Sequence, residues 1–300
     1  MKEMHVHPYA RCTNCGSYIP IYVQQIPEYF SGKDISCPSC SEKLDWWKVT
    51  LREIHDNFML NQAFMQIGAN SKIFPLELRP NKRSSYKLSD YGIPDTAKIL
   101  YVNYTPYTGG NGHFPIEITG NVPTRKFPRN EVVLWPIPLG EGTAERTEVS
   151  VYVTWIDHSS LDESWLNLIN AFEFYVSEQY DSCIVPANVA VESSLSILLT
   201  KYLEDFVGKE QVRAFLEDGA TYSHQLNVVL PLIAQLNKIH KLPNHIRGLL
   251  NKLRSLRNQM AHNGKLDAPL AKELASELLC SSLFGLRYIQ YVQMLLGVKI

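Results

Sequence analysis

The chain has no strong excess of either charge, because 29 Lys and Arg are offset by 30 Asp and Glu. This balance excludes a polycation that coats nucleic acid along its whole length. The sequence also lacks an uncharged apolar run long enough to cross a bilayer, and residues 1–8 contain no apolar signal core. These absences predict a globular cytoplasmic protein with reduced thiols and no membrane partner.

What is present is a composition typical of ordinary globular domains. The 300 residues are 45% hydrophobic and 20% charged, which is enough for two or three domains with their own cores. The patterns along the chain divide it into three zones, residues 1–47, 48–157 and 158–300. Together they predict a multidomain α+β protein.

Cysteine is scarce, with six residues, yet four of them form two CxxC pairs near the N-terminus. Cys12 and Cys15 are separated from Cys37 and Cys40 by about 21 residues, a spacing typical of a four-cysteine zinc site. The spacing predicts a zinc ribbon in residues 1–47 that binds one Zn²⁺ per chain. Four thiolates leave no open coordination position, so the predicted role is structural and not catalytic.

Other roles for the cysteines and nearby histidines are weaker. A redox pair or two disulfides would suit an exported protein, and the chain has no export signal. His5 and His7 are further metal-ligand candidates, but a chain terminus is a poor place to fix a ligand. Cys183 and Cys280 lie among apolar neighbours and are predicted to be core residues.

From about Trp46 to Ile156 the sequence shows short alternating runs broken by Pro, Gly and Asn, for example residues 98–104 and 148–155. This pattern predicts antiparallel strands in a β-sandwich or barrel over residues 48–157, where a regulatory protein or ligand would bind. Two short basic segments lie in this zone and are expected to be solvated, with phosphate contact as the alternative: Arg125, Lys126 and Arg129, and Lys82 and Arg83.

After His158 the apolar residues follow helical spacing, which predicts an all-α bundle over residues 158–300. Helices are expected in residues 221–240, 243–262 and 268–296, after two earlier ones. Asp162, Pro243 and Pro269 occupy positions that suit helix starts.

Within the helical zone the charges are segregated, because residues 219–266 contain no Asp or Glu. The same stretch carries four histidines and seven cations, namely Lys238, Lys241, Arg247, Lys252, Arg254, Arg257 and Lys265. This pattern predicts a surface for a polyanion such as RNA. The alternative is neutralisation by acidic residues of the earlier helices, either across the interior or at a dimer contact.

A helical wheel separates two faces of the predicted helix over residues 246–262. The apolar face consists of Leu249, Leu253, Leu256 and Met260. A polar stripe nearly opposite contains Arg247, Asn251, Arg254, Asn258 and His262. The first three residues of the stripe are the RNA-binding candidates.

Arg257 falls on the flank of the apolar face, where a cation is expected to be partly buried and paired. Glu192, which falls inside the apolar arc of its own helix, is the candidate partner that would orient Arg257. His262 lies in the last helical turn, just before Asn263 and Gly264, which suit a left-handed C-cap. The helix dipole there favours a protonated histidine, which suits an acid–base group.

At these residues the chain resembles the HEPN superfamily, whose nuclease members carry Arg, a polar residue, three variable residues and His near the end of a late helix. Residues 257–262, Arg-Asn-Gln-Met-Ala-His, match this pattern, and the similarity covers about residues 161–300. The resemblance implies a metal-independent endoribonuclease. Its catalytic residues would be Arg257 and His262, assisted by Asn258. Members of the superfamily function in toxin, antiviral and RNA-processing systems.

The resemblance also implies a homodimer through the helical domain, because the motifs of active members meet across two copies. The helix geometry agrees, since an offset of five residues places Arg257 and His262 about 140° apart on one helix. The first alternative is a non-catalytic HEPN adaptor that binds RNA, nucleotide or a protein partner. A DNA-binding regulator that uses the ribbon is weaker, because the basic residues there are balanced by nearby acids.

Overall fold

The computed structural model describes residues 9–20, 24–56, 67–106, 112–117, 130–140, 144–157 and 161–298. Its contacts group the chain into two compact units. One comprises Met1–Tyr9 and Leu60–Leu161, and the other comprises Ala10–Met59 and Asp162–Ile300. The protein is multidomain α+β as predicted, with a four-cysteine cluster beside a small sheet, central antiparallel sheets and a C-terminal helical region.

The N-terminal part of the helical unit contains two short strands and two helices. Strands β1 (Tyr9–Arg11) and β2 (Tyr18–Pro20) form a two-stranded sheet. Helix α1 (Gln25–Phe30) and helix α2 (Trp46–His55) follow. The Asp45 carboxylate accepts a hydrogen bond from the Lys48 N–H at 3.3 Å, and this N-cap fixes where α2 begins.

The predicted strand pattern from Trp46 onwards is wrong for its first ten residues, which form α2. The alternation of Trp47, Val49 and Leu51 resembles a strand, but Leu51 is only half buried. The buried positions instead follow helical spacing, with Trp46, Val49, Thr50, Glu53 and Ile54 on the inner side. Residues 46–55 therefore belong to the helical unit, while the expected boundary between residues 47 and 48 remains a prediction.

The β-rich unit contains two three-stranded antiparallel sheets. The first has the order β3 (Asn70–Leu78), β8 (Thr147–Asp157), β5 (Ala97–Pro106), and the second has β4 (Ser84–Lys87), β7 (Glu131–Pro138), β6 (His113–Glu117). Strand β8 alternates as predicted, since Val149, Val151 and Val153 are buried and Glu148 is exposed. Both sheets contribute side chains to one core, as expected of the predicted antiparallel β-sandwich or barrel.

The C-terminal region is helical as predicted. Its helices are α3 (Glu163–Val176), α4 (Ile184–Glu204), α5 (Lys209–Ala214), α6 (residues 222–236, with π-helical geometry over Gln225–Val229), α7 (Asn244–Asn263) and α8 (Lys272–Leu296). Asp162 caps α3 by accepting from the Trp165 N–H at 3.0 Å, and Pro243 directly precedes α7. Pro269 does not start α8, because the N-cap is Ala271.

Helix α8 lies at the centre of the helical unit. The rings of Phe30 and Phe284 meet at 6.1 Å between centroids, and those of Phe30 and Tyr288 meet at 5.0 Å. The Cys280 thiol donates to the Trp47 carbonyl at 3.7 Å, so α2 also packs on α8. The cysteine-rich N-terminal segment is thus part of the same packed core as the C-terminal helices.

Among the described residues, one helical stretch is long and apolar enough by length and composition to cross a membrane, Asp181–Glu204. In the most apolar part of this stretch, 56% of the residues are buried inside the protein. Its buried residues include Ala187, Val191 and Leu195, which contribute to the bundle core. This packing is that of a core helix.

Candidate functional site

The first CxxC pair lies in a turn closed by two backbone hydrogen bonds. The Cys12 N–H donates to the Ser17 carbonyl at 2.8 Å, and the Gly16 N–H donates to the Cys12 carbonyl at 3.0 Å. Gly16 has a φ of 74°, a left-handed conformation that glycine adopts without a steric penalty. The turn brings the thiols of Cys12 and Cys15 to the same side.

The second CxxC pair repeats this turn bond for bond. The Cys37 N–H donates to the Glu42 carbonyl at 2.9 Å, and the Ser41 N–H donates to the Cys37 carbonyl at 2.9 Å. Ser41 takes the left-handed position with a φ of 59°. A side chain there is strained, so the turn is held by its surroundings and not by the local preference of serine.

The four sulfur atoms are arranged as a tetrahedral metal site requires. The Sγ atoms of Cys12 and Cys40 are 3.8 Å apart, those of Cys15 and Cys37 are 3.7 Å apart, and all four lie within 4.8 Å of one another. Zinc–sulfur bonds of about 2.3 Å at tetrahedral angles place neighbouring sulfurs about 3.8 Å apart. These distances are far too long for disulfides, whose sulfurs are about 2.05 Å apart.

Hydrogen bonds lower the pKa of Cys15 and Cys37, which favours the metal-binding thiolate form of these two residues, whereas the pKa of Cys40 is raised to about 11. The N–H groups of Asn14 and Ser39 each point at the first sulfur of their turn, Cys12 and Cys37, at 3.4 Å. Hydrogen bonds from Ser17 lower the pKa of Cys15 to about 6. The donor set and the spacing are consistent with a structural zinc site, which would link the two turns. His5 and His7 lie outside the described residues.

Arg52 connects the first cysteine turn to helix α2. Its guanidinium donates to the Arg11 carbonyl, directly before Cys12, and to the Glu53 carboxylate at 3.1 Å. Glu53 is buried, and burial raises the pKa of its carboxyl group while Arg52 opposes that shift. The metal-binding turn is therefore tied to a helix that packs on α8.

The Arg–His segment forms the last turns of α7, as predicted. Gly264 adopts the left-handed conformation with a φ of 71° and donates its N–H to the Met260 carbonyl at 2.9 Å, which ends the helix. His262 lies in the final turn and is exposed to solvent. The Arg257 guanidinium donates to the Asn258 side-chain carbonyl at 3.2 Å.

The buried face of α7 is rotated from the one that the helical wheel predicted. Ile246, Leu250 and Leu253 are buried, whereas Leu249, Leu256 and Met260 are only half buried. Arg257 continues the row of Leu250 and Leu253 at helical spacing and is half buried, as expected of a cation on the apolar flank.

Glu192 forms no salt bridge with Arg257 in the described part of the chain. Its carboxylate instead accepts from the Asn188 amide at 2.9 Å, one turn earlier on α4. That Glu192 orients Arg257 remains a prediction.

The predicted RNA-binding stripe is partly covered by helix α6. The amides of Asn251 and Asn227 donate to each other, both at 2.9 Å, which joins α7 to α6. The Nε atom of Arg254 is buried and has no hydrogen-bond partner. Arg247 is half buried and donates to the Asn244 side chain at 2.8 Å. RNA binding by Arg247, Asn251 and Arg254 remains a prediction.

The cations of the acid-free stretch have few direct partners in the described part of the chain. Among the residues that the structure describes, none of the cations between residues 219 and 266 forms a salt bridge. The side-chain partners of Lys241, Arg247 and Arg257 are the neutral amides of Gln235, Asn244 and Asn258. Neutralisation across the interior of one chain is therefore not seen among these residues.

The remaining thiols are core residues, as predicted. Cys183 is 1% exposed and Cys280 is fully buried. Burial raises the pKa of Cys183 to about 12 and raises that of Cys280 well above its usual range. Neither group is a nucleophile at neutral pH.

The basic segments of the β-rich zone add no site. Lys82 and Arg83 are exposed in the turn before β4, as expected of solvated residues. Arg125, Lys126 and Arg129 lie outside the described residues. Asn227 was not predicted from the sequence, because its amide pairs with Asn251 of the next helix and such a contact leaves no spacing signal.

Comparison with protein-family models, with curated proteins and with solved structures found no match to the chain. The argument for function therefore depends on the chain's own residues and their geometry.

Proposed function

We propose that the helical unit is a metal-independent endoribonuclease of HEPN type and that the four-cysteine cluster binds one structural Zn²⁺. The observation that carries the proposal is the acid-free stretch of residues 219–266, whose cations form no salt bridge among the described residues and which includes the exposed His262 and the half-buried Arg257. A polyanion is the natural partner of such a surface. RNA is the substrate class because its 2′-OH supplies an internal nucleophile for acid–base catalysis.

The proposed reaction needs one base, one acid and one cation. The neutral imidazole of His262 takes the 2′-OH proton, O2′ attacks the phosphorus and the bond to O5′ breaks. A second, protonated imidazole gives its proton to O5′, which leaves a 2′,3′-cyclic phosphate and a 5′-OH. The Arg257 fork binds the phosphoryl oxygens as negative charge develops, and Asn258 holds the guanidinium at 3.2 Å.

The second imidazole is proposed to come from a second copy of the chain. Arg257 and His262 lie about 140° apart on α7, so one copy makes a poor site by itself. A two-fold axis beside the α7 ends would bring both residues of each copy into one cleft. Helix α6 supports association because Val228, Leu232 and Leu236 are exposed four residues apart on a helix without charged residues.

The experiment compares cleavage of mixed RNA in EDTA by the parent, Arg257→Ala and His262→Ala. We expect 2′,3′-cyclic phosphate ends from the parent and loss of cleavage in both variants. Lys209→Ala is the matched control, because it removes an exposed cation of the helical unit that lies outside residues 219–266. A zinc-loaded reaction without EDTA, together with circular dichroism, separates lost activity from unfolding of the metal site.

Two outcomes would overturn the proposal. RNA binding by the parent without cleavage would instead favour a non-catalytic adaptor of the same superfamily. Cleavage that survives Arg257→Ala and His262→Ala would place the active site elsewhere. A catalytically active monomer in sedimentation experiments would refute the two-copy site while leaving the residue assignment open to test.

A further inference from the structure

Among the described residues of helices α4, α6 and α7, four buried polar atoms have no hydrogen-bond partner. They are the Asn188 side-chain carbonyl, the Tyr222 hydroxyl, the Gln225 side-chain carbonyl and the Arg254 Nε. Asn188 is fully buried and Tyr222 is 7% exposed. Buried polar atoms without partners are costly, so their presence on three packed helices calls for a compensating interaction nearby.

Tyr222 lies within electrostatic range of both Glu192 and Arg254. Burial raises the pKa of the Tyr222 hydroxyl, the Glu192 carboxylate raises it further, and the Arg254 guanidinium lowers it. The three helices thus bring Glu192, Tyr222 and Arg254 into one neighbourhood.

The packing of the helices agrees with this neighbourhood. A Cβ at Gly285 of α8 would lie 3.1 Å from a Leu250 methyl group and 3.4 Å from a Val191 methyl group. Glu192 directly follows Val191, and Arg254 lies one turn after Leu250. The reciprocal amide bonds of Asn227 and Asn251 then fix α6 against α7 with Tyr222 at the same end as Arg254.

We infer that Arg254, and not Arg257, is the cation that balances Glu192 electrostatically without a direct salt bridge, with the Tyr222 hydroxyl beside both. Arg254 is then a positioning residue that fixes the rotation of α7. The Arg257 guanidinium, whose partner among the described residues is the neutral Asn258 side chain, keeps its charge for phosphate. The network itself is independent of activity, while its consequence for cleavage rests on the proposed function.

A double-mutant cycle tests the pairing. Hydrogen exchange of the α7 amides reports the opening equilibrium of this helix separately from the β-rich unit. We expect the effects of Glu192→Gln and Arg254→Met on the opening equilibrium constant of α7 to be non-additive by about tenfold. Glu192→Gln and Arg257→Met should be additive within about twofold. Additivity of the first pair, or coupling in the second, would overturn the inference.

Cleavage kinetics test the positioning role. Arg254→Met should lower kcat with little change in KM, and Arg254→Lys should recover part of the loss. If Arg254 were an RNA ligand, KM would rise instead and the salt dependence of binding would weaken. If the parent cleaves no RNA, the proposed function fails, and the exchange cycle still decides whether Arg254 balances Glu192.

Discussion

The four-cysteine cluster and the end of α7 are two candidate sites that differ in how far local sequence alone predicts them. Each CxxC pair forms within one turn, and two such turns place four sulfurs within 4.8 Å of one another. Arg257 and His262 also lie within six residues of the chain. Whether they form an active site depends, however, on how α4, α6 and α8 pack around α7 and on a proposed second copy. Local spacing defines the first site, whereas tertiary packing defines the second.

Removal of zinc is expected to give the largest effect, and it tests whether the first site is only local. Cys37→Ala should abolish metal binding, which contributes roughly 10 kcal/mol or more in structural zinc sites. Because α1 and α2 pack on α8, exchange protection should fall in α8 as well as in the turns. Metal content by mass spectrometry and hydrogen exchange check this result.

Cys183→Ala is the control for the zinc prediction, since Cys183 is a buried thiol outside the cluster. It should retain one zinc per chain. If the α8 amides keep their protection from hydrogen exchange in the zinc-free protein, the metal site does not stabilise α8. The contacts made by Arg52 and α2 would then not couple the stability of the two regions.

Loss of the proposed acid–base group is expected to have the next largest effect. It tests whether the end of α7 catalyses RNA cleavage. His262→Ala should lower the rate of RNA cleavage by about 10²- to 10⁴-fold, the usual contribution of a general acid or base. His224→Ala, which removes an exposed histidine from α6, should leave the rate unchanged. Equal losses in both variants would contradict a specific role for His262.

A substitution at Gly285 tests how far the α7 motif depends on packing. Gly285→Ala would place a Cβ 3.1 Å from Leu250 and should destabilise the helical unit by about 1–3 kcal/mol through overpacking. Denaturation followed by exchange of the α7 amides measures it. If the stability of the helical unit does not change, α7 and α8 can shift to accommodate the added methyl group. The position of Arg257 and His262 would then depend less on tertiary packing than proposed.

The smallest expected effect concerns the end of α7. Gly264→Ala introduces a side chain at a φ of 71° and should cost about 1 kcal/mol of helix stability. Gly248→Ala is the matched control, because Gly248 is exposed inside the same helix with no atom near its Cβ position. It should stabilise α7 by about 0.5–1 kcal/mol. Equal effects would argue against the C-cap.

Features set by neighbouring residues could be predicted from the sequence. The turns around Cys12 and Cys37, the cap at Asp162, the alternation in β8 and the left-handed Gly264 all depend on a few adjacent side chains. Partial burial of Arg257 also follows from its place beside Leu253 on one helix.

Features set by distant contacts could not be predicted in the same way. The alternating apolar residues of α2 fit a strand until the packing on α8 is known, and the Trp47–Cys280 contact spans 233 positions. The Asn227–Asn251 amide pair and the rotated face of α7 depend on how α6 packs, which no periodicity reveals.

The contact between Trp47 and Cys280 has a consequence during protein synthesis. Ribosomes add roughly 5–20 residues per second, so α2 exists for roughly 10–50 s before the segment that covers it has been made. During this interval the buried surfaces of Trp46 and Ile54 have no α8 to cover them. The nascent chain would then expose the apolar face of α2 beside cysteine turns that are already complete. Chaperones bind such exposed apolar surfaces, and early zinc binding would not cover this face.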